Sequence, residues 1–166
     1  MARIHAAVTT LLLVFLVAVA GTAYGQTPSP TPAQTDGIQA SLESFPSHLG
    51  PEGVLRVGLQ VTNKSARKAA GLKVQMAIYD GVPNRSSLER TYRGSLGRSI
   101  GSDTLSIADE IDPGRSKSIT VEKPLSEIGF FRSAPDRVYP VRITVQSSSG
   151  AAKPIDSHMV FFAQPP

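Results

Sequence analysis

The sequence predicts an all-β fold, an antiparallel β-sandwich of about seven strands that holds together without disulfides. Three observations predict it. Leu55, Val57, Leu59 and Val61 alternate with Arg56, Gly58, Gln60 and Thr62, the two-residue period of a strand with one buried face. The same period returns in later stretches, with turn signals such as Asp80-Gly81, Asp112-Pro113-Gly114 and Ser147-Ser148-Ser149-Gly150 between them. The chain of 166 residues carries 13 Pro, 14 Gly and no Cys, and no long helical period, which suits short strands joined by turns and packed around one core.

Residues 1–25 read as a cleavable secretory signal. Arg3 supplies a short positive start, Val8 to Ala20 form an apolar run, and Ala23-Tyr24-Gly25 fits a small-x-small cleavage site before Gln26. Ala18-Val19-Ala20 is a second option for cleavage, and an uncleaved amino-terminal anchor is the alternative to cleavage. The apolar run is short for a bilayer span of about 20 residues. Residues 26–36, Gln26-Thr27-Pro28-Ser29-Pro30-Thr31-Pro32-Ala33-Gln34-Thr35-Asp36, read as a Pro/Thr/Ser-rich linker with too little apolar surface to fold. The sandwich domain is expected over residues 37–163. No later apolar stretch is long enough to span a bilayer, so no transmembrane span is expected in the mature chain.

Ile38, Ala40 and Leu42 alternate with polar residues and predict a first strand. Phe45 to Gly53 is rich in turn residues. The Val54–Thr62 strand follows and runs into an Asn63–Lys68 turn. Leu72, Val74, Met76 and Ile78 predict the next strand, Leu72–Tyr79. The turn-length loop between these two strands predicts an antiparallel pair. From Val82 to Asp112 the period weakens, and Leu88 to Leu96 reads as a short helix or an irregular edge. Asp112-Pro113-Gly114 launches a strand from Ser116 to Val121. Pro124 to Phe131 reads as one helical turn or a hydrophobic plug between strands. Tyr139, Val141, Ile143 and Val145 share one face of a strand over Val138–Gln146, and Pro140 is expected at an edge or near its start, because it cannot donate a ladder hydrogen bond. Asp156 to Ala163 closes the domain.

The composition excludes several chemistries. Without Cys there is no thiolate zinc site and no Cys nucleophile. No His-Glu-x-x-His, nucleophile-elbow or phosphate-loop pattern occurs, and Gly94-Ser95-Leu96-Gly97 matches the elbow only superficially. His48 and His158 are the histidines left after signal removal, far apart in sequence. Asp109, Glu110 and Asp112 are oxygen donors for Ca²⁺, or a solvated loop. Arg85, Arg90, Arg93 and Arg98 crowd the irregular segment and read either as an anion-recognising surface or as a charged loop that keeps an edge soluble. Asn63-Lys64-Ser65 and Asn84-Arg85-Ser86 match the N-glycosylation acceptor pattern. The formal net charge of +4 is spread over scattered Lys and Arg with no dense block, so no nucleic-acid partner is expected.

Four pieces carry a family resemblance: Leu55–Asn63 with its Val-Thr-Asn ending, Arg85-Ser86-Ser87-Leu88, Asp112-Pro113-Gly114, and Val138-Tyr139-Pro140-Val141-Arg142. Their order over roughly residues 38–162 resembles the amino-terminal region of an actinobacterial family of exported proteins of unknown function. Members of that family are usually longer, with further extracellular parts and a carboxy-terminal membrane anchor, so this chain reads as a stand-alone version or a truncated member. The resemblance implies an immunoglobulin-like fold and an exported location. It implies no mechanism, because the family has no established activity.

The expectation is therefore a non-enzymatic, exported immunoglobulin-like sandwich, an interaction or structural module at the cell envelope. Its partner would be a protein or an envelope polymer, bound through loops or an unpaired edge strand, with no cofactor and no metal. The alternatives are an accessory or degenerate hydrolase of envelope polymers, and a basic binder of anionic cell-wall polymer.

Overall fold

The computed structural model describes residues 37–130 and 134–163. The expected signal, the expected linker and Phe131 lie outside the described residues. Ten elements follow in order: β1 Ile38–Ser44, β2 His48–Leu49, β3 Val54–Asn63, β4 Leu72–Tyr79, α1 Arg85–Tyr92, β5 Ser99–Ile107, β6 Ser116–Pro124, β7 Arg137–Ser147, β8 Gly150–Ala151 and β9 Ile155–Phe161. Seven of the strands have seven residues or more, and β2 and β8 have two each.

One sheet has the order β1-β3-β6. The other has the order β2-β9-β7-β4-β5, with β8 paired to the end of β7. Pairing is antiparallel except where β2 runs parallel to β9. This is the order of an immunoglobulin-like sandwich, three strands facing a larger sheet built on the β4–β7–β9 trio. The chain has no Cys pair between the sheets. It does have the tyrosine corner of such folds. Tyr139, near the start of β7, donates its hydroxyl to Pro135 O at 2.9 Å.

The alternating strands supply the core. Leu55, Val57, Leu59 and Val61 of β3 meet Leu72, Val74, Met76 and Ile78 of β4 and Val141, Ile143 and Val145 of β7, all buried. Removing this apolar area from water is the main stabilising term. The expected plug is present as a turn after β6 whose Leu125, Ile128 and Phe130 are buried. Phe130 packs edge-on against Tyr139 and Phe161, with centroids 4.9 and 4.8 Å apart. Gly101 of β5 accommodates this turn, because a Cβ there would lie 2.5 Å from Ile128 O.

The expected antiparallel pairing of Leu72–Tyr79 with the Val54–Thr62 strand is not what the chain does. β3 pairs with β1 and β6, and β4 pairs with β5 and β7. The segment between them is an arch from one sheet to the other. Asn63 is the cause. Its side chain is fully buried, and Nδ2 donates to Arg67 O at 2.6 Å and to Ile111 O at 2.9 Å. Oδ1 accepts from Ser65 N at 3.0 Å and Ser65 Oγ at 2.7 Å. Ala69 and Ile111 then exchange both backbone hydrogen bonds. The turn is tied across to the β5–β6 loop rather than folded back on β3.

Pro140 falls near the start of β7. Its cross-strand partner is His158 on β9, and the ladder to β4 begins one residue later at Val141, so its missing N–H leaves that ladder intact. β5 was not legible as a strand, and the helix lies at Arg85–Tyr92 rather than Leu88–Leu96.

Candidate functional site

The β4–β5 connection carries α1 and lays it on the outer face of the larger sheet. Asn84 caps its start, with Oδ1 accepting from Ser87 N at 2.9 Å. Its end is a Schellman turn. Gly94, at φ 90°, donates to Thr91 O at 2.9 Å, and Ser95 N donates to Arg90 O at 3.1 Å. Gly94-Ser95-Leu96-Gly97 is thus a helix exit with Leu96 buried, not a nucleophile elbow.

Thr91 docks the helix. Its hydroxyl donates to Leu88 O at 2.7 Å, so its oxygen accepts from His158 Nε2, also at 2.7 Å. That assignment fixes the neutral imidazole of His158 as the Nε2–H tautomer. Tyr92 lays its ring 4.6 Å from the His158 ring while staying 71% exposed. Burial pushes the His158 pKa below its ordinary 6.5, with Asp156 pulling weakly the other way. Asp156 is held by Arg142 through a two-point contact, Nε to Oδ1 at 2.7 Å and Nη2 to Oδ2 at 2.8 Å. That hydrogen-bonded guanidinium keeps the Asp156 carboxyl below its usual range, against a smaller opposing effect of burial.

Beside the helix lies a groove of about 440 Å³. Its floor is apolar, built from Val82, Leu88, Val138, Val160 and Phe162, and Arg85 and Arg137 stand at its rim. The wall is pinned where Val82 N donates to Val138 O at 2.8 Å. Asp136, on the same rim, accepts from Ala163 N at 2.6 Å. An apolar floor with a few charged groups at its edge can take an apolar side chain or chain segment and orient it through the guanidinium groups.

The residues singled out in the sequence do not gather into one centre. Of the four crowded arginines, Arg85 reaches the groove, with Glu89 3.2 Å away on the next turn. Arg90 donates to Ser87 Oγ at 3.0 Å and Arg98 lies 3.6 Å from Asp80. Asp109 contacts Lys117 at 2.7 Å, while Glu110 and Asp112 share Lys68 at 3.0 and 3.7 Å. These carboxylates face lysines rather than one another, and among the described residues no group of three or more His, Asp or Glu is placed to hold a metal ion. His48 is exposed, its Nδ1 3.1 Å from Ser47 Oγ. In the folded domain the Asn63 amide is buried with both hydrogens engaged. Among the described residues no helix is long and apolar enough to cross a membrane.

No family model matches the sequence, and no curated protein matches it. Solved structures with partial likeness are parts of large enzymes. The beta-glucuronidase 2 of Bacteroides uniformis, covalently bound to cyclophellitol-6-carboxylate aziridine, is 17% identical over 76% of this chain and 13% of its own, with a TM-score of 0.42. The beta-glucosidase of Listeria innocua in complex with isofagomine is 14% identical over 75% of this chain and 16% of its own, with a TM-score of 0.46. The cycloisomaltooligosaccharide glucanotransferase of a Paenibacillus species, complexed with cycloisomaltoheptaose, is 13% identical over 78% of this chain and 14% of its own, with a TM-score of 0.46. This chain spans less than a fifth of each, and a likeness of that size carries no argument about its activity.

Proposed function

We propose that the chain is an exported, non-catalytic binding module of the cell envelope, and that it engages its partner through the groove beside α1. The export rests on the amino-terminal sequence of Arg3, the Val8–Ala20 run and Ala23-Tyr24-Gly25. The binding reading rests on one observation: a groove of about 440 Å³ with an apolar floor, on the outer face of a sheet and rimmed by Arg85 and Arg137. The polar groups at the groove and under the helix beside it favour binding over hydrolysis. Asp136 accepts from Ala163 N, His158 gives its N–H to Thr91, and Asp156 is committed to Arg142, so among the described residues no free acid and base converge there.

The test is site-specific photo-crosslinking in intact cells. A photo-reactive side chain at Leu88 or Phe162 is expected to give an adduct that Arg85→Glu with Arg137→Glu diminishes. The same group at Gln60, on the outer face of the opposite sheet, is expected to give none. Equal adducts from all three positions would refute the groove as the binding surface. The exported chain should begin near Gln26 when its amino terminus is sequenced.

A further inference from the structure

Among the described residues two strand edges stay open on one flank of the sandwich. β6 ends the smaller sheet and β5 ends the larger one. The flank is shared, because Lys123 of β6 lies 3.2 Å from Asp103 of β5, an ion contact outside hydrogen-bond geometry, and Lys117 lies 2.7 Å from Asp109 just after β5.

Hydrogen-bond alternation tells which backbone groups each edge exposes. Asn63 N donates to Arg115 O and Leu125 N to Gly53 O. Odd residues of β6 therefore turn toward β3, and Ser116, Ser118, Thr120 and Glu122 turn outward. In the larger sheet Val82 N donates to Val138 O, and Ala152 N donates to Val145 O. Even residues of β7 thus face β4. With Lys73 opposite Gln146, odd residues of β4 face β7 and even ones face β5. Val74 opposite Leu105 and Met76 opposite Asp103 then leave the N–H and C=O of Ser102, Thr104 and Ser106 pointing off the sheet.

The two edges are not equivalent. Lys117 and Lys123 sit on the same side of β6 as the core residues Ile119 and Val121, and Pro124 ends it. Charges turned inward and a proline are the means by which open edges avoid pairing. The whole of Ser99–Ile107 holds no Lys, Arg or Pro, and its one charge, Asp103, faces Lys123. Leu105 and Ile107 are half-buried at the rim of the core.

We propose that β5 is a self-association edge, to which a second copy of this chain adds its own β5 antiparallel about a twofold axis at Thr104, continuing the larger sheet. In that register Ser102 stands opposite the partner's Ser106 and Thr104 opposite the partner's Thr104, with two backbone hydrogen bonds at each such pair. Ser and Thr facing one another are favourable cross-strand neighbours. No like charges stand directly opposite, since Asp103 falls opposite the partner's Leu105, and each Asp103 keeps the Lys123 of its own copy 3.2 Å away. β6 paired on itself through all four outward residues would instead set Lys123 against the partner's Arg115. An edge that can face itself through Ser and Thr, without the Lys–Arg clash of β6, therefore favours a second copy at β5, and the proposal rests on this edge alone, not on the groove.

The test uses the full exported chain, which contains no Cys. Thr104→Cys places two thiols at a symmetric pair with Cα atoms about 5.5 Å apart, within disulfide reach, and is expected to cross-link on mild oxidation. Ser102→Cys, whose copy lies roughly 13 Å along the strand, is expected to stay reduced. Sedimentation should show a monomer–dimer equilibrium that Thr104→Lys weakens about fivefold and that Ser118→Lys on β6 leaves unchanged. A chain that stays monomeric at every concentration and gives no Thr104→Cys dimer overturns the inference. So do equal cross-linking of the two Cys variants and a dimer lost with Ser118→Lys but kept with Thr104→Lys.

Discussion

Asn63→Ala should cost far more than a surface turn substitution, and the magnitude follows from the bonds it removes. Asn63 makes three unshared side-chain hydrogen bonds, donated to Arg67 O and Ile111 O and accepted from Ser65 N, and its Oδ1 shares the single Ser65 hydroxyl hydrogen with Arg67 O. Each contributes about 1 kcal/mol net. The carbonyls are not orphaned in the Ala variant, because the freed Ser65 hydroxyl can donate to Arg67 O, 2.7 Å away, and Ile111 O keeps its bond from Ala69 N at 2.9 Å. The loss is therefore about 3–4 kcal/mol, without the further penalty of two stranded acceptors. For a domain of this size that is a fall of roughly 10–15 °C in Tm. Asn63→Asp sharpens the test because its shape is the same. At pH 7 it sets a carboxylate oxygen against two carbonyl oxygens in a buried site, and should destabilise at least as much as Ala. Burial raises the folded-state pKa of that carboxyl above its unfolded value. The variant should recover stability as the pH falls through the raised value, since the protonated acid donates one of the lost bonds. Urea unfolding followed by circular dichroism at pH 7 and pH 4.5 measures both. An Asn63→Asp protein as stable as the natural one at pH 7 would refute the account of the arch.

Two more outcomes follow from the same geometry. Tyr139→Phe keeps the ring against Phe130 and Phe161 but deletes the bond to Pro135 O, so it should cost about 1 kcal/mol, read as a small shift in urea midpoint without loss of cooperativity. The pH dependence of stability should carry two separable limbs. His158 has its folded pKa lowered by burial, so protonating it opposes folding, and stability should fall as the pH drops below 6.5; His158→Gln should flatten that limb. Asp156 has its folded pKa lowered by Arg142, so its contribution is present above the ordinary carboxylate value of 3.8 and lost as the pH falls through the folded one. Arg142→Gln should remove that acid limb, as urea midpoints across pH would record.

Much of the sandwich was legible because its strands each bury one face. The alternation over Leu72–Tyr79 predicts the bounds that β4 has, and β3 and β7 differ by a residue or so. The pairing of β3 with β4 was not legible. A short polar loop reads the same whether it folds a strand back on its neighbour or carries it to the facing sheet, and here a buried Asn63 decides for the second. β5 escaped because an edge strand covers less core. Its inward positions hold Gly101, which the Ile128 turn crowds, and Asp103, which pairs with Lys123, so the apolar period starts only at Leu105. α1 reads in the sequence as a short helix or an irregular edge over Leu88 to Leu96, and its limits escaped for a different reason. Its eight residues are mostly polar, and its limits are set by the Asn84 cap and the Gly94 turn rather than by apolar spacing. Of the groove, Arg85 was visible within the arginine cluster. Arg137, Val138, Val160 and Phe162 were not, because β7–β9 pairing and the placement of α1 bring them together.

The outward face of the larger sheet explains why the proposed binding site lies at this end of it. Along β7 the outward residues run Val138, Pro140, Arg142, Thr144, Gln146, and along β9 they run Asp156, His158, Val160. Away from α1 these two strands present Thr144, Gln146 and the paired Arg142 and Asp156, at ease in water. Toward α1 it turns apolar. The helix covers part of this change, with Thr91 and Tyr92 lying over His158. It stops short of Val138 and Val160, which stay half-open to the groove with Phe162 exposed beside them. An outward apolar residue in an alternating strand is the informative exception. Three together beside a capped helix, with Arg85 and Arg137 at the rim, keep a small hydrophobic surface in water at a standing free-energy cost. Under the proposed reading a partner removes that cost on binding. Filling the groove from within, by Val138→Phe, should then raise stability slightly and abolish the adducts at Leu88 and Phe162 together.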